Sequence, residues 1–95
     1  MWQPAIQAAY LSGTWSAQVG PASYTLILTE ANEFQWTLRA PGRSEDIRGV
    51  YLINGTTLVL EPDTGGLLLA DLATPDERTL LTRFIGLGAD LQFQR

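Results

Sequence analysis

The chain has 95 residues, enough for one domain and hardly two. Its 10 acidic and 6 basic residues give a net charge of −4, and every basic residue is an arginine, scattered along the chain. Nucleic-acid binders concentrate positive charge, so this pattern argues against nucleic acid and against anionic membrane surfaces as partners. The sequence contains no Cys and no His, which removes disulfides, thiolate chemistry and the usual general base and metal ligand. We therefore expect no enzymatic activity, no metal and no cofactor.

The N-terminal segment Met1-Trp2-Gln3-Pro4 has neither the basic start nor the long apolar run of a signal peptide. No window approaches the roughly 20 apolar residues that span a bilayer, so we expect no membrane insertion. The compartment is not indicated, and an upstream domain stays possible.

Residues 4–11 read as a short helix. Pro4 suits a first helical position, Ile6 and Tyr10 fall on one side, and Gly13 can end the helix in the left-handed region. A helix this short is unstable alone, so it must dock on something. The predicted organisation is a capping helix over residues 1–12 and a β-domain over residues 13–95.

The rest of the chain reads as strands of alternating polarity separated by turns. Residues 33–39 are the cleanest example, because Phe34, Trp36 and Leu38 alternate with polar neighbours. In the apolar run 67–73 we place Leu68 and Ala70, with Leu72, on the inner face. The predicted strands are 14–19, 23–30, 33–39, 47–53, 56–61, 67–73, 78–85 and 90–95.

Residues typical of turns lie between these predicted strands. Gly20-Pro21 marks a turn, Asn54-Gly55 predicts a type I′ hairpin, and the Gly86-Leu87-Gly88 stretch bends the chain before the last strand. Residues 40–46 are the longest predicted loop, and residues 62–66 form another turn. We expect residues 74–77 to turn the chain; because Thr-Pro-Asp-Glu is also a helix-start pattern, a helix capped at Thr74 is the alternative to the strand 78–85.

About eight short strands joined by tight turns form an up-and-down antiparallel meander. A meander of this size hides its two edges most simply by closing into a barrel. An inward glycine, Gly49, lets one strand coil sharply, as small barrels require. The predicted fold class is therefore all-β: a small closed barrel preceded by a short N-terminal helix.

Five segments of the sequence together form a recognisable pattern. They are Gly13-Thr14-Trp15, Tyr24-Thr25-Leu26-Ile27-Leu28, Phe34-Gln35-Trp36, Gly49-Val50-Tyr51 and Leu91-Gln92-Phe93-Gln94-Arg95. This pattern resembles that of lipocalin-type (calycin) barrels, and in particular that of small lipocalin-like domains of unknown function found in bacterial tetratricopeptide-repeat proteins. The resemblance implies a Gly-x-Trp signature at the first strand, with the Trp packed under a basic residue of the last strand at the closed end. Here Gly13, Trp15 and Arg95 would take these barrel-closing roles.

Five inward aromatic residues either fill the core, as we favour, or line a pocket for an apolar ligand. They are Tyr24, Phe34, Trp36, Tyr51 and Phe93. Trp15 and Arg95 likewise form either a ligand stack or, as we favour, a structural cation–π pair.

The polar residues give little support to catalysis. The acidic pairs Glu30/Glu33, Glu45/Asp46 and Glu61/Asp63 lie in or beside predicted turns, without the spacing of a calcium loop. The serines have no His partner, and the Gly-x-Ser-x-Gly pattern is absent.

Two functional hypotheses follow. The first is a non-catalytic accessory or interaction domain of a bacterial protein, presenting the rim 40–46 or 64–66, or its convex surface, to a partner or upstream domain. The second is a carrier or sensor of a small hydrophobic ligand in the barrel. A predicted outward apolar band also suggests a weak homodimer or a docking face. Its members are Leu52, Val59, Leu67, Leu69 and Leu81.

Overall fold

The computed structural model describes residues 8–85 and 89–95. Within them a single turn of helix precedes eight strands that close into a barrel. The elements are α1 (Ala8–Leu11), β1 (Gly13–Val19), β2 (Ala22–Leu28), β3 (Glu33–Ala40), β4 (Arg43–Asn54), β5 (Thr57–Pro62), β6 (Leu68–Asp76), β7 (Thr79–Phe84) and β8 (Ala89–Gln94).

Each strand pairs antiparallel with the next one in sequence, and β8 returns to β1. The predicted all-β meander, closed into a small barrel, is confirmed. The pairing of β1 with β8, which closes the barrel, is the shortest in the described residues, since its register contains one residue pair, Ser16 with Gln94. The helix predicted over residues 4–11 falls partly outside the described residues; the described part is α1, whose Leu11 is fully buried.

The strands alternate between core and solvent because successive side chains of a strand point to opposite faces. In β6, Ala70 and Leu72 are buried and Leu68 is half-buried, as predicted, whereas Leu69 is exposed. The core is apolar apart from Thr79 and Thr82, and Thr82 donates its hydroxyl to the Leu91 carbonyl at 3.1 Å.

Residues 40–46 are not a loop, which corrects one prediction. The turn consists of Pro41 and Gly42 alone, with Gly42 at φ 72°, and β4 begins at Arg43. Proline followed by a positive-φ glycine is the pattern of a type II turn. The polar residues that suggested a loop instead pair across strands: Asp46 accepts a hydrogen bond from Thr37 at 3.1 Å. The rim 40–46 proposed for partner binding is therefore a strand hairpin, while residues 64–66 do lie in a connection between strands.

Two further turns differ from the sequence expectation. The β4–β5 loop is Gly55-Thr56 rather than Asn54-Gly55, and Gly55 alone of the two has a positive φ, so a type I′ turn is excluded. The turn predicted at 74–77 moves to residues 77–78, because β6 continues to Asp76 across a register shift that accommodates Pro75. The alternative helix from Thr74 is wrong: β7 occupies Thr79–Phe84.

Gly49 allows two strands to cross closely. A Cβ atom at this position would lie 2.1 Å from the Glu61 carbonyl oxygen and 2.8 Å from Pro62 Cα. The glycine is therefore required by the approach of the β5 backbone, beyond the coiling expected from its inward position.

The two ends of the barrel differ. The closed end carries α1, the turns at 29–32, 55–56 and 77–78, and Arg95; the open end carries the turns at 20–21 and 41–42 and the 63–67 connection. The candidate site lies toward the open end.

Candidate functional site

A cavity of about 290 Å³ lies inside the barrel toward its open end. Its wall is mostly apolar and includes three aromatic side chains. The lining residues are Tyr24, Trp36, Glu45, Ile47, Leu60, Leu68, Phe84 and Leu91. Because the inward positions of seven neighbouring strands converge here, the barrel itself builds the cavity, and we treat it as the candidate ligand site.

Strand register sets which side chains reach the cavity. Trp36 pairs with Ile47 across β3 and β4, and Leu60 pairs with Leu68 across β5 and β6, so both pairs share the inward face. Phe84 lies at the end of β7, beside the open end. The alternation that makes the strands amphipathic thus also places the cavity wall.

Trp36 is the centre of the aromatic wall. Its ring centroid lies 5.5 Å from that of Tyr24, with the planes inclined at 56°, and 5.5 Å from that of Phe84, with the planes nearly perpendicular at 84°. Inclined and edge-to-face arrangements are the favoured geometries for aromatic pairs. The three rings therefore form a fixed, angled wall, since each ring holds its neighbour.

Glu45 is the charged residue of this lining. Its carboxylate accepts a hydrogen bond from Arg43 Nη2 at 2.7 Å. That hydrogen bond raises the pKa of Arg43 above its usual value, followed by the charge attraction of Glu45. Glu45 is partly exposed and Arg43 mostly exposed, so the ion pair stands at the rim in contact with water. Such surface pairs contribute about 0–1 kcal/mol.

Of the five aromatic residues predicted to bind ligand, two line the cavity and three do not. Tyr24 and Trp36 line the cavity. Phe34, Tyr51 and Phe93 are almost fully buried and lie outside this lining; Tyr51 donates its hydroxyl to the Thr29 carbonyl at 2.8 Å. Burial raises the pKa of Tyr51 above its ordinary value, and the nearby charge of Glu30 adds to that shift.

Sequence reasoning missed most of the cavity wall. Ile47, Leu60, Leu68 and Leu91 could be found from their inward positions, yet no sequence signal separates a cavity wall from a filled core. Glu45 was missed because it was assigned to a loop, and Phe84 was not singled out.

The closed end is built around Trp15 and Arg95. The Arg95 guanidinium carbon lies 4.3 Å from the ring centroid of the fully buried Trp15 and 5.2 Å from that of Tyr10. Arg95 Nη1 donates to the carbonyls of Tyr10 and Ser12 at 2.9 and 3.3 Å.

Two more contacts complete the closed end. Arg95 Nε donates to the Glu77 carbonyl at 3.1 Å, and Trp15 Nε1 donates to the Leu11 carbonyl at 2.8 Å. Gly13, at φ 132°, lies beneath the guanidinium; a Cβ there would be 3.8 Å from Arg95 Nη1. These contacts join α1, β1, the end of β8 and the 77–78 turn.

Two other depressions lie on the outer surface. One of about 420 Å³ runs over β6, β7 and β8 and includes the exposed Arg83–Asp90 ion pair, with Nε 3.1 Å from Oδ1. The other, of about 310 Å³, runs over β2, β3 and β4 and includes Arg48 and Asp63. Both are larger than the inner cavity, and most of their lining residues are exposed or half-buried; the buried ones are Leu72, Thr82 and Leu91 in the first and Phe34 and Gly49 in the second.

Residues 8–85 and 89–95 contain no group of three or more Asp and Glu side chains that could hold a metal ion. Within the same residues, no helix is long and apolar enough to cross a membrane. Comparison with protein-family models, with curated proteins and with solved structures finds no match to this chain. The fold defines the class: an eight-stranded antiparallel closed β-barrel, compatible with a lipocalin-like fold.

Proposed function

We propose that this protein is a non-catalytic binding domain that holds a small apolar molecule in the open end of its barrel. The supporting observation is the inner cavity of about 290 Å³ with its wall of Tyr24, Trp36 and Phe84. Binding sites for small molecules are concave and mostly apolar, with few polar groups, and this cavity has that character.

The cavity volume limits the size of the ligand. An enclosed apolar cavity of about 150 Å³ accommodates benzene, and sites for drug-sized ligands begin near about 300 Å³. The cavity therefore suits a molecule of about one or two rings, or a short branched chain. Long-chain fatty acids and retinoids would extend far beyond it.

The chemistry of the wall favours binding over catalysis. Its ionisable groups are the Glu45 carboxylate, already paired with Arg43, and the Tyr24 hydroxyl. Acid–base catalysis needs a positioned pair of groups with suited pKa values, and the sequence offers no His or Cys for the purpose.

Two adjacent residues of β6 provide a matched test. Leu68 lines the cavity, whereas Leu69 is exposed on the outer face. Leu68→Trp should fill the cavity and weaken binding of a neutral probe, 2-phenylethanol, at least tenfold. Leu69→Trp adds the same side chain outside and should leave binding unchanged. Chemical-shift titration of the full chain measures both, and far-UV circular dichroism checks that each variant folds.

The same titration decides the proposal. Saturable shifts confined to inward residues of the open end, lost in Leu68→Trp and kept in Leu69→Trp, would support it. Absence of saturable shifts in the unmodified chain, or equal binding by both variants, would overturn it.

A second candidate function is self-association through the outer face. Leu52, Val59 and Leu69 form one row across β4, β5 and β6, and Leu52 and Leu69 are exposed. An uncharged apolar row can face a second copy of itself without repulsion between like charges, and a twofold interface uses the same patch on both copies. Sedimentation velocity should show a weak dimer that Leu52→Arg removes and that Asn54→Arg, also outward on β4, retains. A strictly monomeric chain at millimolar concentration would contradict this candidate.

Kinship with lipocalin-like domains of bacterial tetratricopeptide-repeat proteins is part of the proposal. The stacking of Arg95 over Trp15 at the closed end supports it, since that resemblance implies such a pair. An open reading frame extending upstream into helical repeats would strengthen this kinship, and the domain would then be the accessory module of a larger protein.

A further inference from the structure

We propose that the ligand of this cavity is a cation, namely a small aromatic or apolar amine or quaternary ammonium whose charge lies between Glu45 and the aromatic wall. This inference rests on the proposed binding function and specifies its ligand class. Three observations carry it: the charge of the lining, the geometry of the rings and the pairing of Glu45.

The lining selects for positive charge. Glu45 is the one charged side chain among the eight lining residues, and the chain has a net charge of −4. The Glu45 side chain is 39% exposed beside an apolar wall, so its attraction for a ligand charge lies between the values expected in bulk water and in the protein interior. An anionic ligand, such as a fatty acid, would be repelled by the same group.

The rings offer a second source of attraction for a cation. The faces of Trp and Tyr attract cations within about 6 Å of the ring centroid, and ammonium groups are recognised by sets of aromatic rings at angles to one another. Trp36 with Tyr24 and Phe84 gives such a set. Tyr24 and Glu45 both pair with Leu38, so the aromatic ring and the carboxylate flank one residue at the open end.

The pairing of Glu45 with Arg43 supports the same conclusion. The guanidinium shows that a cationic donor can reach this carboxylate, at 2.7 Å. The pair is exposed, and pairs of this kind contribute little to stability. A ligand ammonium can therefore replace Arg43 at small cost, and Arg43 acts as a competitor for the site.

Three probes of similar size and different charge test the inference at pH 7 and low salt. They are 2-phenylethylamine, which is cationic, 2-phenylethanol, which is neutral, and phenylacetate, which is anionic. Isothermal titration calorimetry of the full chain should give the order amine, alcohol, acid. We expect the amine to bind about tenfold more tightly than the alcohol. This ratio lies at the low end of what a cation–π contact and the attraction of Glu45 would give together.

Variants with opposite expected effects separate ligand contact from a structural role. Glu45→Gln should lower the preference for the amine to the part contributed by the aromatic rings. Arg43→Gln frees the carboxylate and should strengthen amine binding a few-fold. Asp46→Asn is the matched control, since Asp46 is the next residue of β4, faces outward and should not alter any of the three affinities.

The outcomes separate the two proposals. Equal affinity for the amine and the alcohol, or a preference for the amine that is undiminished in Glu45→Gln, would overturn the cation inference and leave the binding function intact. Absence of binding by all three probes would overturn both. Weaker amine binding in Arg43→Gln would show that Arg43 contacts the ligand and would also contradict the competitive arrangement.

Discussion

Replacing Arg95 by Ala tests whether this side chain holds the barrel shut. The described pairing of β1 with β8 has the single register pair Ser16–Gln94, so the Arg95 contacts supply much of the connection at the closed end. Cation–π contact with Trp15 at 4.3 Å contributes about 0.5–2 kcal/mol. The hydrogen bonds to three backbone carbonyls add about 0.5–1.5 kcal/mol each before allowance for solvent, which reduces them here because Arg95 is exposed.

We therefore expect Arg95→Ala to lower the free energy of unfolding by about 2–3 kcal/mol, or Tm by about 8–24 °C for a domain of this size. Arg95→Lys should retain part of the stability, because an ammonium keeps the charge but cannot donate to separated carbonyls as a planar fork does. Urea unfolding followed by far-UV circular dichroism measures each variant.

Arg83→Ala is the control. Arg83 pairs with Asp90 on the outer face, both side chains are mostly exposed, and its loss should cost less than about 1 kcal/mol. If Arg95→Ala were no more destabilising than Arg83→Ala, the assignment of Arg95 as the closing residue would be refuted.

Three other predictions concern the interior and the pH dependence of stability. Gly49→Ala should cost at least about 1–3 kcal/mol in thermal unfolding, because its Cβ would meet the Glu61 carbonyl at 2.1 Å and the backbone must move; an unchanged Tm would contradict this. The raised pKa of Tyr51 favours the neutral phenol in the folded state, so stability should fall as pH rises above about 10. In Tyr51→Phe this loss of stability at alkaline pH should be smaller. Near neutral pH the variant should be less stable by about 0.5–1.5 kcal/mol, because the hydrogen bond to the Thr29 carbonyl is missing; an unchanged alkaline profile would disprove the prediction. The pKa of Asp76 is lowered, first by a hydrogen bond from the Arg78 backbone N–H, so the ionised carboxylate should stabilise the fold at neutral pH and lose this effect as pH falls below about 4. Urea midpoints measured against pH should therefore decline less steeply in acid for Asp76→Asn than for the unmodified chain, and parallel declines would count against this prediction.

The strand pattern was predictable because each strand alternates cleanly and most are bounded by turn residues. Errors arose around turn-forming residues, where the length or the place of the turn was misjudged. Pro41-Gly42 was extended into a long loop, although a proline–glycine pair needs only two residues to reverse the chain. Pro75 was placed in a turn over residues 74–77, whereas a register shift carries β6 past it to Asp76. Local composition does not reveal such tertiary accommodation.

The cavity was less predictable than the fold. The inward faces were readable from period-two alternation, but whether those side chains meet depends on barrel diameter and strand stagger, which one sequence does not encode locally. Trp36 was singled out because it is large and inward. The place of Glu45 in the cavity wall could not be predicted without knowing that β4 begins at Arg43. The register of β3 with β4 then places Glu45 at the rim of the cavity.

The narrow junction of β1 with β8 has a consequence for how the protein reaches its native state. Seven of the eight strand pairings join neighbours in sequence, so each can form as a local hairpin with little loss of chain entropy. Only the last pairing brings together strands that are far apart in the sequence, β1 and β8. We expect an open ribbon of hairpins to assemble first and the end-to-end joint to form late, so weakening this joint should speed unfolding more than it slows folding.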